Sequence, residues 1–313
     1  MEFQVSVIMP CHNAGPWIAE ALQTVAAQSF PAHEVIVIDD DSSDDSVAQI
    51  ERSGVAVKLL RSNARNAAAA RNLGIETATG HWIALLDSDD IWYPNHLTRA
   101  ASLLGSTEHV AFLSNHDWIS LAGAPIAMPE VFVNKLPAPR SGSSVDDFCR
   151  LEEYGFHFGH STVLYRRSRV REVGMFDVSQ QRRHDIDLWL RVIAGGTWIY
   201  DTTKSAAYRH GTPGGISENL LECEYYYLRA LSKNLERVDS PLLRHSLSLR
   251  ARQAMGVACA DGPPEHYDRI RDVAWPHLSP LVRMFYRCGS VSPGLLRWLI
   301  KTKRHIAQSR YSS

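Results

Sequence analysis

Three closely spaced aspartates follow an apolar run in the first third of the chain. Asp87 and Asp89 flank Ser88, and Asp90 comes next. Carboxylates placed directly after a buried strand can point into one cleft, where their hard oxygen atoms suit Mg²⁺ or Mn²⁺ bound to a diphosphate. The alternative is a solvated acidic turn in which Asp90 caps the helix that enters at Pro94.

A second acidic cluster and one arginine offer further binding chemistry. Asp39, Asp40 and Asp41 end another apolar run. A carboxylate at a strand end can accept hydrogen bonds from a nucleobase or a ribose, although a polar loop capping a helix near Asp44 gives the same pattern. Arg71 lies in an alanine-rich helical stretch, where its guanidinium could bind a phosphate or a base, or simply lie on the helix surface.

Short apolar runs alternate with helical patterns in the first half of the chain and must position these residues. Strands are predicted at 5–9, 34–38, 57–60, 82–86 and 110–113. The alternation predicts right-handed βαβ crossovers and a mostly parallel sheet covered by helices on both faces. Because ligands bind at the carboxyl ends of strands in such sheets, both acidic clusters are expected to open onto one crevice.

The second half of the chain is less regular. Residues 121–144 contain four prolines and end in a Ser-Gly-Ser-Ser stretch, which predicts a long surface loop. Strands are expected at 161–165 and 197–200, with a helix over 185–194 between them. After residue 217 the pattern is helical and is broken at several prolines, which predicts a C-terminal region of several helices.

Composition and cysteine usage limit the classes of protein. Hydrophobic residues make up 45%, charged residues 21%, and the net charge is −1, which is ordinary for a globular protein and gives no case for binding nucleic acid. Five scattered cysteines without a C-x-x-C pair indicate reduced thiols in a cytoplasmic protein rather than disulfides or a zinc site. No segment approaches the roughly 20 apolar residues of a membrane span, so any membrane contact is expected to be peripheral.

The C-terminal segment is basic. From residue 282 to the end there are seven Lys or Arg residues and no Asp or Glu. Residues 295–306 mix apolar residues and cations at roughly helical spacing, which could place 291–313 in an anionic membrane interface at about 1 kcal/mol per cation. A terminal helix with a solvated cationic face is the alternative.

Four segments carry a resemblance to a known family. They are residues 6–13 (SVIMPCHN), 35–44 (VIVIDDDSSD), 70–74 (ARNLG) and 86–90 (LDSDD). In this order and spacing they resemble inverting family 2 glycosyltransferases with the GT-A fold. The resemblance implies a Rossmann-like GT-A catalytic domain over 1–215, with a nucleotide-sugar half at about 1–115 and an acceptor half at about 116–215. A helical region over 216–313 follows and is a candidate homodimer surface.

The same resemblance implies roles for individual residues. The donor-binding residues would be Pro10, His12, Asp40, Arg71, Asp87 and Ser88. Pro10 and His12 would line the nucleotide pocket, and Asp40 would meet the base. Asp87 and Asp89 would hold Mn²⁺ or Mg²⁺, with His210 as a candidate third ligand. The family commonly has an aromatic residue where His12 stands and a glycine where Asp41 stands.

Residues 184–187 (HDID) resemble the family's acidic motif, usually Glu-Asp-x-Asp. On that match Asp185 is the catalytic base, because an inverting displacement needs a carboxylate to take the proton from the attacking hydroxyl. The alternative is that Asp185 only caps a helix. His184 takes the place of the usual Glu, and it is expected, with His157 and His160, near the acceptor.

The expected function is therefore transfer of a sugar from a nucleotide-sugar, expected to be a UDP-sugar, to a glycan or glycolipid acceptor. Two alternatives remain open. A nucleotidyltransferase also joins an α/β sheet to acidic metal ligands, although no glycine-rich, lysine-containing phosphate loop follows the first strand. A catalytically degenerate nucleotide-sugar-binding protein is the other.

Overall fold

The computed structural model describes residues 3–105, 108–127, 140–153, 159–212, 219–238, 240–261 and 264–291. The chain divides into two compact units, Met1–Gly215 and Ile216–Ser313.

The first unit is built on one sheet, in which ten strands are described. They are β1 (Val5–Cys11), β2 (Glu34–Asp40), β3 (Lys58–Ser62), β4 (Trp82–Leu85), β5 (Ile91–Trp92), β6 (Ala111–Ile119), β7 (Pro125–Ile126), β8 (Arg140–Ser143), β9 (Val163–Arg166) and β10 (Trp198–Arg209). The order across the sheet is β3-β2-β1-β4-β9-β6-β10-β5, with β7 beside β6 and β8 beside β10. Strands β1 to β4 pair in parallel, whereas β9 runs antiparallel to both β4 and β6. Strands β6 and β10 also pair in parallel. The sheet is therefore mixed, and its β1–β4 part is parallel where the sequence predicts βαβ units.

Helices flank the sheet as predicted. Those described in this unit are α1 (Ile18–Ala26), α2 (Ser46–Arg52), α3 (Ala67–Thr77), α4 (His96–Leu104), α5 (Val145–Glu153), α6 (Arg167–Glu172) and α7 (His184–Ile193). A 3-10 turn covers His160–Thr162. The apolar positions of α1, at Ile18, Leu22 and Val25, are buried in one cluster with Val7 and Met9 of β1, as their helical spacing requires.

Close packing fixes α3 against the first two strands. A Cβ atom at Gly74 would lie 2.5 Å from Cγ2 of Ile8 and 2.9 Å from Cδ1 of Ile38. The missing side chain therefore lets the helix approach β1 and β2 more closely than any larger residue allows. Arg71 lies one turn earlier on the same helix, so this contact also sets the position of its guanidinium.

Three expectations, for one loop and two strands, are corrected. Residues 121–144 are not one loop, because they contain β7 and β8, although 128–139 lie outside the described residues. Strands β6 and β10 continue well past the predicted 110–113 and 197–200. Polar residues such as Asn115 and Thr202 end the apolar pattern there, and shifts in the β6–β10 register after Asp201 accommodate the longer pairing.

The second unit is helical, as predicted. Its described helices are α8 (Leu220–Asn234), α9 (Pro241–Asp261), α10 (Pro264–Ala274) and α11 (Pro280–Val291). Three of them begin with proline, which suits the first helical turn because its missing N–H has no intrahelical partner there. No helix in the described part of the chain is long and apolar enough to cross a membrane. Residues 292–313, and with them most of the basic segment, lie outside the described residues.

Candidate active site

Asp40 fixes the turn that leads into α3. It is the last residue of β2, and its two carboxylate oxygens accept hydrogen bonds from the backbone N–H groups of Arg65 (3.1 Å) and Asn66 (2.7 Å). Asn66 in turn caps α3, because its side-chain oxygen accepts from the N–H groups of Ala68 and Ala69. A carboxylate oxygen can accept more than one hydrogen bond, so the predicted contact of Asp40 with a base is compatible with this role and stays a prediction.

Arg71 brings three of the predicted residues together. Its side chain is only 3% exposed. One guanidinium nitrogen forms an ion pair with Asp87, in the loop after β4, and the other lies 2.7 Å from Nε2 of His184, at the start of α7. The donor motifs and the acidic motif, more than 90 residues apart in sequence, therefore meet at one buried cation.

The aspartates after β4 have different environments. Burial and the charge of Asp87 raise the pKa of Asp89, although the Thr212 hydroxyl and Arg209 partly offset that rise. Burial raises the pKa of Asp90 further above its usual value, and the charges of Asp89 and Asp87 add to this effect. An acidic pair of this kind gains from a nearby positive charge.

Asp90 is a structural residue rather than a helix cap. Its oxygens accept hydrogen bonds from the Ser161 hydroxyl (2.5 Å) and the backbone N–H of Arg209 (2.9 Å). Helix α4 starts later, at His96, and Asn95 occupies its N-cap position. The alternative in which Asp90 caps that helix is therefore wrong, because the aspartate bonds to the 3-10 turn before β9 and to the end of β10 instead.

Asp185 lies in the first turn of α7 and is partly buried. Burial raises its pKa, while Arg183, the N–H of Ile186 and Arg71 lower it. One carboxylate oxygen accepts a hydrogen bond of 2.8 Å from that N–H, but the N-cap position belongs to Arg183. A carboxylate with a raised pKa is a better proton acceptor than an ordinary surface aspartate.

The histidines predicted near the acceptor or the metal lie in different environments. His160 and His184 are both buried, with their rings stacked at 5.0 Å, so their contact with an acceptor stays a prediction. His157 lies outside the described residues. His210 is exposed, and its ring stacks on Trp118 at 5.5 Å. Among the described residues no three His, Cys, Asp or Glu side chains are arranged to hold a metal, so His210 does not complete such a set with Asp87 and Asp89.

The ends of β1 and β2 show how the residues that differ from the resembled family are accommodated. The ring nitrogen Nδ1 of His12 lies 2.7 Å from the carbonyl oxygen of Asp40 and donates to it, which ties the end of β1 to the end of β2. Asp41 has a left-handed backbone with φ +64°, a conformation that glycine adopts freely. Pro10 of β1 and Ser88 are both partly buried at the same edge of the sheet.

Arg209 is a structural residue of the site that the sequence analysis missed. It is 2% exposed, and its guanidinium donates to the carbonyl oxygens of Asp89 (2.8 Å) and Leu121 (2.8 Å) and to the carboxylate of Glu20 (2.7 Å). It therefore ties the acidic loop to α1 and to the turn after β6. The sequence signal that could have pointed to it is a charged residue, Arg209, directly after the small and apolar residues 205–208.

Comparison with known proteins identifies the class. The family model described as Glycosyl transferase family 2 matches residues 6–174, more than half of the chain. The chain belongs to this family. It is 36% identical over 173 residues to the UDP-Glc:alpha-D-GlcNAc-diphosphoundecaprenol beta-1,3-glucosyltransferase WfgD of Escherichia coli, which covers 52% of this chain and 68% of WfgD. It is 28% identical over 249 residues to the amylovoran biosynthesis glycosyltransferase AmsB of Erwinia amylovora, covering 76% and 81% of the two chains.

The fold has solved counterparts. Residues 1–349 of TarS from S. aureus, crystallised with UDP-GlcNAc, superpose with a TM-score of 0.73 at 16% identity, covering 96% of this chain and 92% of that one. Against a longer TarS chain, the coverage of that chain is 50%. This likeness confirms the predicted GT-A fold. The family membership supports a glycosyltransferase and gives no support to the nucleotidyltransferase alternative.

Proposed function

We propose that the chain is an inverting, metal-dependent glycosyltransferase that moves a sugar from a UDP-sugar to a hydroxyl of a lipid-linked or polysaccharide acceptor. The main support is the meeting of Asp87, Arg71 and the start of α7, which brings the donor motifs close to the partly buried carboxylate of Asp185. The names of WfgD and AmsB support a role in making cell-surface polysaccharide. WfgD and TarS both have uridine donors in their names or titles, which supports UDP over other nucleotides.

The proposed reaction is a direct displacement. The acceptor oxygen forms a bond to the anomeric carbon while the bond from that carbon to the diphosphate breaks, and the nucleoside diphosphate leaves. The hydroxyl proton passes to the Asp185 carboxylate. Because the attack comes from the side opposite the leaving group, the anomeric configuration inverts. The raised pKa of Asp185 favours its acceptance of the proton.

Asp87 and Asp89 fit a divalent cation as a two-carboxylate site. Mg²⁺ and Mn²⁺ are often held by one or two protein carboxylates together with substrate phosphates and water. The charge of Asp87 raises the pKa of Asp89 even though Arg209 partly offsets it, so a cation between the two carboxylates would be favoured. A bound cation would neutralise charge on the leaving diphosphate. Asp90 is committed to Ser161 and Arg209 and is not proposed as a ligand.

A direct test follows the products. The protein, Mn²⁺, a UDP-sugar and a diphosphate-linked lipid-sugar acceptor should yield UDP rather than pyrophosphate, and NMR should show the new linkage with inverted anomeric configuration. Asp185→Asn should lower transfer by at least about 100-fold while leaving UDP binding intact. Binding without any turnover by the wild type would favour the degenerate sugar-nucleotide binder, and full activity of the Asp185→Asn variant would remove Asp185 from the mechanism.

We further propose that the end of the chain binds an anionic lipid surface. Helix α11 exposes three large apolar side chains at helical spacing, with Leu281 75%, Met284 59% and Phe285 43% exposed. The sequence from 282 to 313 adds seven cations and no acids. Two copies that met through this segment would bring many like charges together, which disfavours a dimer through it. Apolar residues beside cations suit an anionic membrane interface.

Vesicle sedimentation tests the membrane proposal. The intact chain should sediment with vesicles containing anionic phospholipid, less so at 0.5 M salt, and not with neutral phosphatidylcholine vesicles. Replacing Leu281, Met284 and Phe285 by serine should weaken this binding by about 10-fold or more, because each substitution removes apolar area that the membrane would bury. These side chains are exposed, so the variant is expected to fold. Equal sedimentation with both vesicle types, or a concentration-dependent dimer without vesicle binding, would contradict the proposal.

A further inference from the structure

The contact between Arg71 and His184 fixes the chemical state of the histidine. Arginine stays protonated in proteins and can only donate hydrogen bonds. Nη1 of Arg71 lies 2.7 Å from Nε2 of His184, so that ring nitrogen must accept, and the ring must be neutral with its proton on Nδ1. Burial, and after it the charge of Arg71, lowers the pKa of His184 well below its usual value, in agreement with this geometry.

Two aromatic rings hold His184 in this orientation. The ring of His160 stacks on it at 5.0 Å with an interplanar angle of 21°, and Phe176 packs edge-on against both histidines. Phe176 also lies 5.8 Å from the guanidinium carbon of Arg71. Within the described residues neither ring nitrogen of His160 has a hydrogen-bond partner, and burial keeps its pKa well below the usual value. His160 therefore acts as a neutral stacking surface.

The neutral state of His184 matters for charge at the site. The family usually has a glutamate at this position, which would give Arg71 a second carboxylate partner next to Asp87. With histidine the guanidinium contacts one carboxylate and one neutral ring, so more of its positive charge remains for Asp87 and a bound diphosphate. The residue after His184 is Asp185, so no extra negative charge stands beside the candidate base.

We infer that neutral His184, held between Arg71 and His160, is a positioning residue that sets both the guanidinium of Arg71 and the start of the helix that carries Asp185. This inference rests on the proposed function, because it assigns the role in terms of that reaction. The His184 side chain is only 4% exposed, and the positioning role does not require it to touch substrate.

Three variants at one position test the role. His184→Gln keeps a neutral acceptor for Arg71 and should keep kcat within about 3-fold of wild type, whereas His184→Leu removes the acceptor and should lower kcat by about 10- to 100-fold. His184→Glu adds a negative charge beside Asp185 and should move the acidic limb of the kcat–pH profile upward by about one pH unit. The other groups acting on Asp185 are Arg183, Arg71 and Asp87, with Tyr165 nearby, and all are unchanged in these variants.

The outcomes separate the inference from the proposed function. Sugar transfer by the wild type, and its loss in Asp185→Asn, would support the proposed function. If, in the same experiments, His184→Gln and His184→Leu lose equal activity and His184→Glu leaves the pH profile unchanged, the positioning role is wrong. If wild type transfers no sugar, the proposed function fails, and side-chain ¹⁵N NMR still tests the geometry. An unprotonated Nε2 on His184 at pH 7 supports the inference, and a protonated Nε2 overturns it.

Discussion

Asp41 shows how one residue can depart from its family without changing the site. Its backbone is left-handed, at φ +64°, and its carboxylate pairs with Nε of Arg65 at 2.7 Å, between side chains that are both largely exposed. A left-handed conformation costs an ordinary residue about 1–3 kcal/mol, which glycine avoids. The usual glycine of the family therefore reports a backbone requirement at this turn rather than a ligand contact.

Substitutions at residue 41 separate the backbone from the ion pair. Asp41→Gly should keep the free energy of unfolding within about 1 kcal/mol of wild type, and Asp41→Val should lower it by about 1–3 kcal/mol. Both variants lose the exposed pair with Arg65, worth at most about 1 kcal/mol, so the difference between them measures the backbone alone. Urea unfolding provides the measurement, and equal stability of the two variants would contradict the strain assignment.

Arg209 is the residue on which the acidic loop depends most. Replacing it by methionine keeps the volume but leaves the carbonyl groups of Asp89 and Leu121 without their donor. We expect Arg209→Met to lower the free energy of unfolding by about 3 kcal/mol and to weaken UDP binding. Glu20→Gln is the matched control, since it removes only the half-exposed partner and should cost less than about 1 kcal/mol. A control as damaging as Arg209→Met would show that the ion pair, not the carbonyl contacts, holds the loop.

At the scale of elements, Gly74 determines how α3 presents Arg71. Gly74→Ala should lower the free energy of unfolding by about 1–3 kcal/mol, because the new methyl group overlaps Ile8 and Ile38, and it should weaken nucleotide binding by displacing the helix. Gly159→Ala is the control, since its Cβ would meet no atom of the described residues within 4 Å and its φ of −148° suits any residue. Unfolding curves and UDP titrations of both variants check this, and unaltered binding by Gly74→Ala would contradict it.

The start of α4 carries a pH-dependent contribution to stability. His96 is buried against Trp92, and burial lowers its pKa to about 3, with Asp201 partly opposing. In the unfolded chain a histidine titrates near 6.5, so below that pH the unfolded state binds more protons and the folded state loses stability as the pH falls. The loss between pH 7 and pH 5 is about 2 kcal/mol.

The variant His96→Gln isolates that contribution, because it keeps a polar partner for Ser205 but does not titrate. The difference in unfolding free energy between wild type and variant should fall by about 2 kcal/mol from pH 7 to pH 5. Chemical unfolding at the two pH values measures it. A difference that does not change with pH would mean that His96 is not held neutral in the fold.

Local pattern was enough to predict the elements that lie in the parallel part of the sheet. Strands β1, β2 and β4 are short apolar runs, and carboxylates end β2 and follow β4 at the same edge of the sheet. The short strands β5, β7 and β8 could not be predicted, because a few residues without apolar alternation carry no local signal. Their pairing depends on contacts with β6 and β10 that are remote in sequence. The role of Arg209 was hidden for the same reason, since its partners come from three separate segments.

At the scale of the whole molecule, the two compact units have different proposed roles. The first holds the residues assigned to donor and catalysis, and the second holds the exposed apolar face of α11. Removing that apolar face is therefore expected to weaken vesicle binding without loss of UDP affinity. The sequence predicted the donor half through ordered motifs, whereas the acceptor half has no comparable signal, and the identity of the acceptor remains a proposal.

The most direct test of the central claim is calorimetric titration of the wild type with UDP, GDP, dTDP and CMP, each with and without Mn²⁺. We predict that UDP binds, that Mn²⁺ strengthens its binding, and that Asp89→Asn removes the effect of the metal. Asp45→Asn, at the exposed N-cap position of α2, should not remove it. Selective binding of another nucleotide would keep the transferase assignment and correct the donor. Failure of every nucleotide to bind, with or without metal, would contradict a nucleotide-sugar site at the carboxyl ends of β1, β2 and β4.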